Sequence, residues 1–125
     1  FRREGQGGNE NEVLEFQRYR ADSDGDAYAQ LWLAKQLYFG VGGQRDVAAA
    51  ARYFERAGEQ RLGEALYNLG VIYLNGEGGL PQDAARAVEL FRRAAFESGF
   101  APAHNGLGAL YLNPSQLLSS SSASS

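Results

Sequence analysis

The residues most suited to chemistry are three aspartates in Asp22-Ser23-Asp24-Gly25-Asp26, the single histidine His104, and two glycine clusters, Gly40-Val41-Gly42-Gly43 and Gly76-Glu77-Gly78-Gly79. Alternating aspartates suggest a calcium loop. A loop begun at Asp22, however, puts Ala27 where the sharp-turn glycine belongs and Leu33 where the bidentate glutamate should sit. The aspartates read instead as a turn and a helix N-cap, with acidic charge at the positive end of the helix dipole. The glycine clusters could be taken for phosphate-cradling loops, but such a loop follows a strand and usually brings a lysine or a ribose-binding acid. Helical patterns flank both clusters here, and glycine just past a helix end supplies a left-handed C-cap. His104 has no second histidine and no cysteine with which to share a metal. No nucleophile stands at a motif spacing beside it, so it reads as a solvated or packed side chain. These residues give no ground for expecting a catalytic group, a metal site or a cofactor.

The elements that carry these residues repeat. Ala29, Ala34, Gly40 and Gly42 recur 36 positions on as Ala65, Gly70, Gly76 and Gly78. After the turn the shift is 37, taking Asp46, Ala50, Phe54 and Ala57 to Asp83, Ala87, Phe91 and Ala94. Ala103, Leu107, Gly108 and Tyr111 restart the pattern 38 positions beyond Ala65, Leu69, Gly70 and Tyr73. Val47, Ala50, Ala51, Phe54, Ala57 and Gly58 follow the i, i+3, i+4, i+7 spacing of an amphipathic helix, as do their later counterparts. Asp46 and Asp83 stand where an N-cap is wanted. A period near 36 built from a helical pair predicts an all-α solenoid. Gly70 and Gly108 fall inside helical patterns, where glycine costs about 1 kcal/mol relative to alanine. With Ala34 at the same place in the first copy, these positions predict close approach of a neighbouring helix.

Composition narrows the range of partners. Twelve basic and fifteen acidic residues are interspersed, for a net charge of −3, and a nucleic-acid partner would need a concentrated basic face. The sequence has no cysteine, so disulfides and thiolate sites are out of reach. No apolar run approaches the roughly 20 residues that span a bilayer, so no direct membrane insertion is expected. No signal peptide is evident. The sequence starts at Phe1 and contains no methionine, which suggests a piece of a longer protein. Residues 1–8 read as a disordered lead-in, 9–113 as the solenoid and 114–125 as a disordered serine-rich tail. The first helix should run from about Asn9–Asn11 to Ala21, its turns marked by Val13, Phe16, Gln17 and Arg20, as the second helix of an incomplete repeat.

Ala-x-x-x-Leu-Gly-x-x-Tyr-x-x-Gly-x-Gly at 65–78, then Asp83, then Ala-x-x-x-Phe-x-x-Ala-Ala at 87–95, resembles the Sel-like repeat (SLR), a relative of the tetratricopeptide repeat. The likeness covers about Leu14 to Asn113. Ala34 and Leu37 depart from the usual glycine and tyrosine of the motif. Residues 97–111 are similar to the animal Sel/Hrd-type repeat proteins of the secretory pathway. The resemblance implies an α-α superhelix of about two full repeats plus flanking half-repeats. It also implies a non-catalytic protein-interaction scaffold or adaptor that binds protein or peptide. A second reading is the regulatory or substrate-recruiting domain of an enzyme complex, such as an endoplasmic-reticulum ubiquitin-ligase adaptor. Localisation in the endoplasmic reticulum or secretory pathway would follow from the Sel/Hrd-type likeness.

The candidate contact residues come from what the repeat does not require. Tyr28, Trp32, Lys35 and Phe39 fall on one helix face beside the core stripe Ala29–Leu33–Leu37, and their counterparts are Glu64, Asn68, Val71 and Asn75. Aromatic character there is not demanded by the repeat, and aromatic residues dominate interface hot spots. Tyr28, Trp32, Lys35, Phe39 and Asn68 are the protein-binding candidates. Packing of Trp32 on the incomplete N-terminal helix is the competing reading. Two whole units and two halves also predict marginal stability, or self-association through exposed repeat ends.

Overall fold

Helices follow one another through the computed structural model, which describes residues 6–41 and 43–112. They are α1 (Gln6–Asp22), α2 (Ala27–Phe39), α3 (Val47–Glu59), α4 (Gly63–Asn75), α5 (Ala84–Arg92) and α6 (Ala101–Leu112), with a π-helical turn, Arg93–Glu97, continuing α5. Among the described residues there is no strand. The solenoid alternates two kinds of helix. The first helices of each pair are α2, α4 and α6, and the second helices are α1, α3 and α5.

Local chemistry sets the helix ends. The Asp26 carboxylate accepts hydrogen bonds from the backbone N–H groups of Tyr28 and Ala29, Asp46 from Ala49, and Asp83 from Arg86. Each satisfies donors that a helix N-terminus leaves unpaired. The bonds from Ala29 and Tyr28, together with Arg20, hold the Asp26 carboxyl below its usual pKa against the opposing effect of burial. Asp22, at the other end of that loop, accepts from the Tyr53 hydroxyl and from Arg56. At the C-termini of α2 and α4, Gly40 and Gly76 have φ of 72° and 68°, the left-handed caps expected from the two clusters.

The core runs through the stack as one cluster from Ala34 to Leu110, with Phe54 and Phe91 the largest of its fully buried side chains. Gly70 of α4 and Gly106 of α6 receive Phe91. A Cβ on Gly70 would stand 2.6 Å from the Phe91 ring, so the ring of α5 lies directly against the α4 backbone. Gly108 differs: among the described residues nothing outside its own helix lies within 4 Å of its Cβ position. The close approach expected at Gly108 is not found: α5 packs on α6 over Gly106, and among the described residues no later helix covers the Gly108 side.

The drift of the repeat from 37 to 38 has a structural cause. Between Ala57 and Leu62 in one unit, and Ala94 and Phe100 in the next, the same carbonyl-capping bond spans one more residue. The extra residue is accommodated by the π-helical turn at Arg93–Glu97, the usual way an α-helix absorbs an insertion.

α1 departs from expectation in two ways. It begins at Gln6, so residues 6–8 of the expected disordered lead-in are helical, while residues 1–5 and the tail from 113 lie outside the described residues. Once a turn is nucleated, each further residue adds a hydrogen bond at little cost, which carries the helix back past Asn9. Its inward face is also rotated. Leu14 and Ala21 pack toward α2, whereas Val13 and Phe16 are 48% and 58% exposed. With the first helix of that pair absent from the described residues, the ridge that would meet it is bare.

Candidate protein-binding face

The exposed faces of α2 and α4 lie side by side and are tied together by ion pairs. Lys35 Nζ donates to Glu64 Oε2 at 2.7 Å, linking the middle of α2 to the first turn of α4. A turn further on, the Tyr38 hydroxyl donates to Glu77 Oε1 at 2.9 Å, and Arg45 approaches Glu77 Oε2 at 3.4 Å. The Arg45 guanidinium sits 5.0 Å from the centre of the Tyr38 ring. Burial, and then the bond to Glu77, push the Tyr38 hydroxyl above its ordinary pKa, so it stays protonated as a donor. Surface pairs of this kind contribute little stability. Their effect is to hold Tyr38 and Lys35 in place at the border of the face.

Between these ties lies an apolar depression of about 230 Å³, lined by Tyr38, Phe39, Phe54, Tyr67, Asn68 and Val71. Phe39 is 67% exposed, and the buried Phe54 ring contributes the innermost surface. Asn68 brings an amide with both a donor and an acceptor to an otherwise carbon-lined hollow. A second depression sits on α2 alone, lined by Tyr28, Leu31, Trp32, Lys35 and Gln36.

The structure therefore divides the five candidate residues. Phe39 and Asn68 share the inter-repeat depression, Tyr28 and Trp32 share the one on α2, and Lys35 borders the latter while bonded across to Glu64. Tyr28 is 71% exposed. Trp32 is half-buried and packs beside Ala21, Ala29 and Leu33, which ties it to the N-terminal helix as well as to the surface. Tyr38 and Tyr67 were not among the candidates. The signal for them was available, since Tyr67 aligns with Leu31 and an aromatic ring there is not required by the repeat. Trp32→Ala is expected to cost about 1.5–2.5 kcal/mol, half the penalty of a fully buried aromatic truncation, read as a melting-temperature loss of several degrees. An unchanged melt would make Trp32 a surface residue only.

Comparison with known proteins agrees with this architecture. The Sel1 repeat family model matches residues 27–62 and 63–95, the pairs α2–α3 and α4–α5 with their loops. The chain is 34% identical over 76 residues to the ERAD-associated E3 ubiquitin-protein ligase component HRD3B of Arabidopsis thaliana, covering 61% of this chain and 12% of that protein. HRD3A of the same plant is 35% identical over 65 residues, covering 52% of this chain and 9% of that protein. The Hrd-type likeness found here is thus to plant proteins rather than animal ones. Among solved structures, a protective antigen of uropathogenic Escherichia coli with an SLR fold superposes with a TM-score of 0.72 at 41% identity, over 78% of this chain and 20% of that one. A Sel1 repeat protein from Oxalobacter formigenes gives a TM-score of 0.72 at 27% identity, over 80% and 40%. Sel1 repeats typically mediate protein interaction, and the fold they share is typically a scaffold without catalysis.

Proposed function

The chain belongs to the Sel1 repeat family, and on that footing we propose that it is a non-catalytic adaptor whose α2–α4 face binds a segment of a partner protein. One observation carries this reading: the apolar depression shared by two successive repeats, with the Asn68 amide inside it and the exposed Phe39 ring at its edge. An apolar or aromatic side chain of a partner fills the hollow against Phe39, Tyr67 and Val71. Asn68 pairs with the partner's backbone, fixing its direction in the way a few polar groups orient ligands in mostly apolar sites. Self-association through open helix faces belongs to the same reading. A second reading, favoured by the likeness to the HRD3 proteins, makes the chain a substrate-recruiting part of a ubiquitin-ligase complex in the endoplasmic reticulum. It spans only 12% and 9% of those relatives, so their activity as whole proteins enters here as a proposal.

Peptides selected from a random display library against the intact chain provide the test. Phe39→Ala and Asn68→Ala are each expected to weaken the selected peptides about tenfold or more, as truncation of a central contact does. The melting temperature should hold for Phe39→Ala, whose ring is mostly in solvent. Peptides that bind both variants as tightly as the wild type would sink the assignment of this face. The ubiquitin-ligase reading further expects an unfolded, reduced protein to be bound in preference to its native form, and equal binding would remove it.

A further inference from the structure

α2 and α4 leave seventeen of their positions at least partly in solvent, and only two of these, Lys35 and Glu64, carry a charge. The second helices α3 and α5 are different: they leave eleven positions at least partly in solvent, and seven are charged. Burial does not explain the contrast, since the first helices expose the larger share of their residues. α6, the next first helix, has no Asp, Glu, Lys or Arg at all. An exposed helix face is ordinarily covered by charged and polar side chains. Loss of charge together with a gain of aromatic residues is the composition of the centre of a protein interface. The two charges that are present cancel, because Lys35 Nζ is bonded to Glu64 Oε2. At the far end of the depression Glu77 takes both the Tyr38 hydroxyl and Arg45. What α2 and α4 offer a partner is carbon surface and the amides of Gln36, Asn68 and Asn75.

We infer that the segment bound at this face is itself uncharged: a short stretch of partner chain with one large aromatic or aliphatic side chain at its centre and small or amide side chains on either side. The inference rests on the α2–α4 face being the binding face, and it adds the class of segment that the face takes. A carboxylate or an ammonium group pressed into the depression would lose its water and gain no counter-ion, which is costly for either sign. Lys35 and Glu64 do not supply one, since each would have to give up the other. An uncharged segment meets no such cost. Its large side chain lies against Phe39, Tyr67 and Val71, and its backbone N–H and C=O groups meet the Asn68 amide, which both donates and accepts. With no net charge on either side, encounter is not steered by a field and affinity is insensitive to salt.

The probe is a random twelve-residue display library, selected on the intact chain and counter-selected on the Phe39→Ala protein to remove peptides held elsewhere. The retained pool should be depleted of Asp, Glu, Lys and Arg relative to the starting library and enriched in Phe, Trp and Leu. Affinity of a retained peptide should change less than about twofold between low and high sodium chloride, as screening of a neutral contact requires. An aspartate and a lysine placed in turn beside the large side chain should each weaken it about tenfold, the penalty for an uncompensated charge. Enrichment of either sign of charge in the pool, a marked loss of affinity in salt, or tighter binding with one of the two charges overturns the inference and leaves the face in place. A pool left empty by the counter-selection overturns the binding face itself.

Discussion

Gly70→Leu is expected to destabilise the fold by about 3 kcal/mol, the upper end of overpacking costs, and to lower the melting temperature by more than about 10 °C. Leucine gains up to about 1 kcal/mol of helix propensity over glycine, so the steric cost has to exceed that. The geometry says it does. A Cβ alone would stand 2.6 and 2.8 Å from two carbons of the Phe91 ring and 3.4 Å from the Ala87 carbonyl oxygen. Phe91 is fully buried and wedged between α4 and Gly106 of α6, so it has nowhere to swing. The second mutation Phe91→Leu shortens the opposing side chain. The double mutant should therefore lose less than the sum of the two single changes, as contacting residues do. Thermal melts of the three variants measure this, and strict additivity or an unchanged melt for Gly70→Leu would mean that the two residues do not meet.

The same residues show what a sequence can and cannot reveal about such a stack. The period, the aspartate caps and the glycine C-caps are local features, and each repeats at a fixed shift. Asp46 and Asp83 cap their helices because a carboxylate at that spacing reaches the N–H three residues on, whatever surrounds it. Gly70 and Gly108 occupy the same place in the motif and yet differ, one pressed against a phenylalanine and the other open. The difference lies in whether a second helix crosses that face, which no local pattern encodes. α1 shows the same thing, since its inward stripe is set by contact with α2 and not by its own apolar residues. The one-residue drift from 37 to 38 was legible as arithmetic, but that the helix absorbs it as a π-turn was not.

The candidate face was legible only in part, for a related reason. Phe39 and Asn68 lie far apart in sequence and share a depression because the solenoid brings successive first helices side by side. Comparing repeat positions found both. It also grouped Tyr28 and Trp32 with them, because four residues on one helix face look continuous on a wheel. The link from Lys35 to Glu64 and the lean of Trp32 toward α1 separate them in space. Phe54 read as pure core from its spacing, and it is also the floor of the depression.

That double position makes Phe54→Ala the most informative truncation in the chain. Removing a fully buried phenylalanine typically costs about 3–5 kcal/mol, enough to take much of the stability of a small domain. Phe54 is 1% exposed, with Tyr38 edge-on at 6.5 Å between ring centres. The space left behind, however, would run directly into the apolar depression that Phe39, Tyr67, Asn68 and Val71 already surround. Apolar space lined by aromatic and aliphatic side chains takes up small aromatic solutes. The variant should melt well below the wild type and recover part of the loss when benzene or phenol is added, by mass action on the folded state. The wild type, with Phe54 in place, should gain much less from the same solute. A large destabilisation without any rescue would mean that the chain collapses around the missing ring and that the depression does not reach it. A destabilisation below about 1 kcal/mol would remove Phe54 from the core altogether.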